Sequence, residues 1–156
     1  MFLYNICVAI YARLIALVGL WNPKAKQWAT GRKGIFERMA AAISESDKIV
    51  WIHVASLGEF EQGRPVIEQI KREHPEYKIL LTFFSPSGYE ARKDYPMVDK
   101  VLYLPFATVR NAKKWMKMLP LEMAIFVKYE FWPSYLKQLK KHNIPTYLIS
   151  AIFRPN

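Results

Sequence analysis

A single cysteine, Cys7, stands in the chain, and it sits inside an apolar run. That excludes a disulfide framework and a thiolate metal site, and it is consistent with a reducing compartment. Histidine is scarce as well: His53, His74 and His142 are far apart, no pair has metal-ligand spacing, and no metal is expected. Neither a phosphate loop ending in Gly-Lys-Ser or Gly-Lys-Thr nor Gly-x-Gly-x-x-Gly occurs, which argues against an NTPase and against dinucleotide binding. Acidic residues are few, 13 against 23 Lys plus Arg, and the resulting formal charge of +10 favours an anionic partner. A basic recognition helix and the glycine-aromatic signatures of nucleic-acid modules are both missing. No nucleic acid is therefore expected, and lipid phosphate or a membrane surface fits the charge better. Internal repeats and low-complexity tracts are also absent.

What is present begins with an apolar N-terminus. Phe2 to Trp21 is interrupted only by Asn5 and Arg13 and is about long enough to cross a hydrocarbon core as a helix. Arg13, near its middle, costs a few kcal/mol on insertion scales, so a shallow, snorkelling or partner-packed helix competes with a spanning one. A buried amphipathic helix of a soluble protein is the plainer alternative. The basic residues follow the apolar run and no Ala-x-Ala site is evident, which disfavours a cleaved signal peptide. Lys24, Lys26, Arg32 and Lys33 cluster after it, so the positive-inside rule puts the body of the protein on the cytoplasmic side, with Trp21 and Trp28 near the headgroups.

The 156 residues suffice for one ordinary domain with its own core. We divide them into an anchor helix (1–22), a basic linker with a short helix over Gly34 to Ile43 (23–47), and a Rossmann-like domain (48–156). In the last, five short apolar runs predict strands: Ile49 to Val54, Lys78 to Phe83, Lys100 to Leu104, Met123 to Val127 and Thr146 to Ser150. Their lack of a polar face is the mark of a parallel sheet covered on both sides. Phe60 to Glu73, Gly88 to Asp94, Val109 to Leu119 and Phe131 to His142 supply the crossover helices. Right-handed crossovers bring all strand-to-helix loops to one edge, where ligands of open α/β sheets bind.

Three of those loops carry unusual residues. In Ala55-Ser56-Leu57-Gly58-Glu59, Gly58 admits close backbone approach and Glu59 opens a helix as a candidate general base. Phe84-Ser85-Pro86-Ser87-Gly88 offers two hydroxyls, Ser85 and Ser87, and a helix start at Gly88 suited to phosphate or sugar hydroxyls. Lys128-Tyr129-Glu130-Phe131-Trp132-Pro133 sets a cation, a carboxylate and two aromatics after a buried strand. Each has a plainer explanation: Glu59 favouring the helix dipole, Ser85 or Ser87 as an N-cap, Pro133 in a first turn. Three polar loops on one edge nevertheless point to a ligand cleft. His53, inside its strand, reads as a hydrogen-bonded core residue, while His74 and His142 end helices.

His53-Val54-Ala55-Ser56-Leu57-Gly58-Glu59, Ser85-Pro86-Ser87-Gly88, Tyr103-Leu104-Pro105-Phe106 and Glu130-Phe131-Trp132-Pro133 occur in the order and spacing seen in 3-deoxy-D-manno-octulosonic acid (Kdo) transferases. The chain resembles their N-terminal half, from the apolar anchor to about Ser150. The resemblance implies a membrane-associated, two-domain GT-B glycosyltransferase on the cytoplasmic face of the cell inner membrane. It would move Kdo from CMP-Kdo to the lipid A precursor (lipid IVA) of lipopolysaccharide, without a metal or other cofactor. This chain would be the acceptor half, inactive without a C-terminal half that holds most of the nucleotide site. Glu59 would be the base, and Ser56, Gly58, Ser85, Ser87, Gly88, Lys128 and Glu130 would meet the acceptor.

Two departures from the family pattern stand out. Val127-Lys128-Tyr129-Glu130 replaces Met-Glu-Thr-Glu, so that Lys128 takes the place of an acid. Ser150-Ala151-Ile152-Phe153-Arg154 replaces Asn-Ala-Arg-Leu-Ser, displacing the arginine. A membrane-anchored module that binds an anionic lipid without chemistry, and a GT-B enzyme using another sugar nucleotide, are the alternatives.

Overall fold

The computed structural model describes residues 2–152, so Arg154 lies outside the described residues. Five strands, β1 (Lys48–Val54), β2 (Tyr77–Phe83), β3 (Lys100–Tyr103), β4 (Leu121–Val127) and β5 (Thr146–Ile149), form one sheet in the order β3-β2-β1-β4-β5. Every pairing is parallel. Ile49, Trp51 and His53 alternate with Val50, Ile52 and Val54 along β1, and all six are buried, as the unbroken apolar pattern demands of a sheet covered on both faces.

The helices are α1 (Phe2–Val18), α2 (Pro23–Thr30), α3 (Ile35–Ala40), α4 (Leu57–Glu73), α5 (Pro86–Arg92), α6 (Val109–Met118) and α7 (Pro133–Lys141). On one face Ile35 and Met39 of α3, Trp115 of α6, and Tyr135 and Leu139 of α7 enclose Trp51 and Phe126. On the other, Phe60 and Ile67 of α4 close over Val50, Ile52, Phe83 and Val127. Gly63 is what lets α4 sit this low: a Cβ there would stand 3.1 Å from Val127 Cγ2. The α/β, five-strand parallel architecture is as expected, with ends shifted by one to three residues because caps extend or trim the periodic segments.

The N-terminal region departs from expectation. Among the described residues no helix is long and apolar enough to cross a membrane. Seventeen residues of α1 reach about 26 Å, short of the ~30 Å hydrocarbon core. One face of α1 packs on the domain, where Tyr11 meets Trp28 edge-on at 5.6 Å and Asn5 Oδ1 accepts the Val109 N–H at 3.0 Å. Leu3, Ile6, Ile10, Leu14, Leu17 and Trp21 are exposed.

The stretch read as a basic linker holds a further helix, α2, whose start is fixed by Asn22 Oδ1 accepting from Lys24 N and Ala25 N. Trp28, expected at headgroup level, is instead core, packed against Phe84 and Phe106. Arg32, counted with the membrane-facing basic cluster, is buried too.

Candidate functional site

The strand order reverses direction between β1 and β4, so the loops that follow these strands flank the switch point of the sheet. Helix α4 leaves β1 toward one face and α7 leaves β4 toward the other. The loop after β2 joins them. Ser85 N donates to Ala55 O at 2.8 Å and Phe84 N to Val54 O at 3.2 Å, while the Phe84 ring lies 5.2 Å from that of Trp132.

In the first loop Ser56 is the N-cap of α4, but its hydroxyl makes no capping bond. Gly58 faces open space: a Cβ there would meet nothing within 4 Å. Glu59, half-buried, turns one carboxylate oxygen back to accept the Ala55 N–H. The carboxylate thus serves the helix start and the rigidity of the loop with one oxygen, leaving Oε1 for other partners.

In the second loop Ser85 caps α5, its Oγ accepting from Gly88 N at 3.3 Å and lying 3.3 Å from the exposed Ser87 hydroxyl. Gly88 is buried for packing: a Cβ would stand 2.6 Å from the Phe83 ring and 3.0 Å from Leu57 N. The plainer readings of Ser85 as a cap and of Pro133 as the first residue of its helix both hold locally. These roles anchor the loops that carry the other groups.

Lys128 opens the third loop with a left-handed backbone, φ 61°, and its amine makes no ion pair among the described residues. Glu130 turns inward. Its Oε2 accepts the Trp132 indole N–H at 2.8 Å and lies 3.2 Å from His53 Nε2. Burial pushes the Glu130 carboxyl up, but the hydrogen bond and charge of His53, with the Trp132 bond, outweigh it and hold the group below its ordinary value. Glu130 also lines a recess of about 320 Å³ with Phe126, Phe131 and Leu148.

Three groups that sequence reasoning left out complete the edge. His53, fully buried as expected, reaches from its strand to the third loop. Trp132 ties that loop to the second. Arg32, in the turn after α2, donates to Trp28 O, Leu104 O and Phe84 O, all at 2.8 Å, with its guanidinium 4.1 Å above the Trp28 ring. Burial lowers it to about 10, so it remains a cation at neutral pH. A second recess of about 320 Å³, lined by Val8, Tyr11, Trp28, Arg32, Phe84 and Trp132, opens beside these loops.

The structure therefore brings Ser56, Gly58, Glu59, Ser85, Ser87 and Gly88 into two bonded loops. It joins Glu130 to them through Trp132 and Phe84. No hydrogen bond links Glu59 to Lys128 or Glu130 among the described residues.

A family model described as 3-Deoxy-D-manno-octulosonic-acid transferase (kdotransferase) matches residues 32–156. The chain belongs to this family. The match takes in every loop residue above, together with His53 and Arg32, and leaves out α1 and α2. A 3-deoxy-D-manno-octulosonic acid transferase of Haemophilus influenzae is 26% identical over 148 residues, 94% of this chain and 34% of the relative. One of Aquifex aeolicus is 35% identical over 103 residues, 65% of this chain and 28% of the relative. One of Chlamydia muridarum is 27% identical over 110 residues, 69% of this chain and 26% of the relative. The chain spans about a third of the length of the curated relatives it matches.

Proposed function

We propose that this chain is the acceptor-binding half of an enzyme that transfers Kdo from CMP-Kdo to a lipid A precursor, lipid IVA, and that it is inactive until joined to a donor-binding half. The observation that carries the reading is the position of Glu59. It heads α4 outside the carboxyl end of the central strand, beside the serine-bearing loop and in a chain of this family.

A sugar hydroxyl is a poor nucleophile at neutral pH, and a carboxylate within hydrogen-bond reach takes its proton as attack develops. The acceptor oxygen bonds to the anomeric carbon of Kdo. The bond from that carbon to the CMP phosphate oxygen breaks, and the hydroxyl proton passes to Glu59. No metal is required for this exchange. In this reading Ser56, Ser85 and Ser87 offer hydroxyls to the acceptor, Gly58 leaves room for it, and Gly88 keeps the two loops pressed together. Lys128 offsets acceptor phosphate and Glu130 orients a sugar hydroxyl.

The exposed apolar face of α1, with Arg13, Lys24 and Lys26 beside it, supports a place on the cytoplasmic face of the inner membrane, with the helix lying in the interface. There the acceptor is met in two dimensions.

The test joins the chain to a complete C-terminal half and follows CMP release with lipid IVA. Glu59→Gln keeps an acceptor for the Ala55 N–H, so folding is retained, and kcat falls about 100-fold or more if Glu59 is the base. Full turnover by that variant removes Glu59 from the role. Lipid binding without transfer for every donor half, across a screen of sugar nucleotides, would favour a lipid-binding module.

A further inference from the structure

His53 occupies the penultimate position of β1, with no exposed surface, in the middle of a hydrogen-bonded chain that runs from the core to the loop edge. Its Nδ1 lies 3.1 Å from Thr82 O and 2.9 Å from Thr82 Oγ1. The carbonyl can only accept. The Thr82 hydroxyl accepts the Trp51 indole N–H at 2.8 Å and directs its own hydrogen to Ile52 O at 3.3 Å, so it too is an acceptor toward the ring. Nδ1 must therefore carry a proton.

On the other side Nε2 lies 3.2 Å from Glu130 Oε2, a carboxylate oxygen that also only accepts. The Trp132 indole N–H donates to Oε2 at 2.8 Å and is shared with Nε2 at 3.2 Å, so ring, indole and carboxylate meet at one point. Both bonds to Glu130 fall on Oε2, while Oε1 receives none among the described residues and the carboxylate borders an open recess.

We propose that His53 is a positioning residue, a ring clamped by Thr82 that, with Trp132, holds Oε2 of Glu130 so that Oε1 is presented to a sugar hydroxyl of the acceptor. The sugar partner rests on the function proposed above; the clamp rests on the hydrogen bonds alone. Such a clamp fixes the rotamer of a glutamate on an irregular loop and keeps it ionised, so the bound hydroxyl donates to it and is not displaced by a carboxylic proton. Around the ring β2 contributes Thr82, β4 contributes Phe126 and the third loop contributes Trp132. Glu130 is the one charged group that contacts the ring among the described residues.

The test is nitrogen NMR of the 156-residue chain with ¹⁵N-labelled histidine. In the wild type the Nδ1 and Nε2 resonances of His53 report a ring bonded to Thr82 on one side and to the Glu130–Trp132 pair on the other. In Glu130→Gln the fold persists, since the amide oxygen still accepts from Trp132, and the Nε2 resonance moves while the Nδ1 resonance, still bonded to Thr82, keeps its place. An Nε2 resonance unmoved in Glu130→Gln overturns the clamp whatever the acceptor is. In the completed enzyme His53→Gln should shift the acid limb of the pH profile of acceptor KM upward, because Glu130 loses the ring contact that helps hold its carboxyl low. An equal loss at every pH would mark His53 as structural only.

Discussion

Arg32 donates an Nη2 proton to Phe84 O across 2.8 Å, fastening the turn after α2 to the residue that precedes Ser85. The same guanidinium holds Leu104 O, so one buried side chain fixes the loops after two strands. Arg32→Met should leave three carbonyls without a donor and cost about 3 kcal/mol, at roughly 1 kcal/mol each. Arg32→Lys should recover little of that, since a point ammonium cannot reach three divergent acceptors. Equilibrium urea unfolding measures both, and a loss under ~1 kcal/mol for Arg32→Met would show the bonds to be incidental.

Gly58 and Gly88 should respond in opposite directions to the same substitution. Gly88→Ala forces a Cβ into the Phe83 ring and should destabilise by about 1–3 kcal/mol. Gly58→Ala meets open space in the first turn of α4 and should stabilise by about 0.5 kcal/mol. If the acceptor approaches this backbone, the Gly58 variant nevertheless raises acceptor KM in the completed enzyme. Thermal melts beside KM values separate the two effects.

Acid should weaken the fold through Glu130. Its folded-state pKa lies below the ordinary 4.5, so the stability it contributes is present above that value and is lost as pH falls through the lower folded one. The wild type should therefore be more stable than Glu130→Gln at neutral pH, with the gap closing below about pH 4.5. Asp47, lowered in the same way by the Ser44 N–H and Lys78, titrates equally in both proteins and cancels in the difference. Melting temperatures of the pair across that range give the answer, and parallel curves would contradict it.

Membrane attachment should depend on the outward face of α1. Leu14 and Leu17 are each more than half exposed, so Leu14→Glu with Leu17→Glu removes apolar surface without opening the core. Burial of a leucine is worth about 1.5–3 kcal/mol, and the double variant should bind anionic vesicles at least about tenfold more weakly at an unchanged melting temperature. Added salt should weaken the wild type as the basic flank is screened. Vesicle co-sedimentation reads both, and equal binding by the variant would place attachment elsewhere.

The sheet was legible because its strands are nearly pure runs of β-branched and aromatic residues bounded by turn signals: Ile49 to Val54 and Met123 to Val127 lie within β1 and β4 as found. Helix α2 was not, because Lys24, Lys26 and Gln27 disguise a segment whose single anchor, Trp28, inserts between α1 and the loops. Arg32 escaped for a related reason. Charge in a sequence suggests solvent, and only the convergence of three carbonyls from distant segments makes its burial tolerable. His53 was correctly placed in the core, but its bond to Glu130 spans 77 residues and depends on the adjacency of β1 and β4, which periodicity does not reveal.

That adjacency has a consequence for how the protein can change. The parting of the first and third loops follows from chain topology, from α4 and α7 departing to opposite faces, and does not need particular side chains to impose it. A charge carried on these loops, such as that of Lys128, can therefore be altered while the buried layers beneath keep their packing. Such a scaffold keeps the groups that face a ligand apart from the packing that holds the fold.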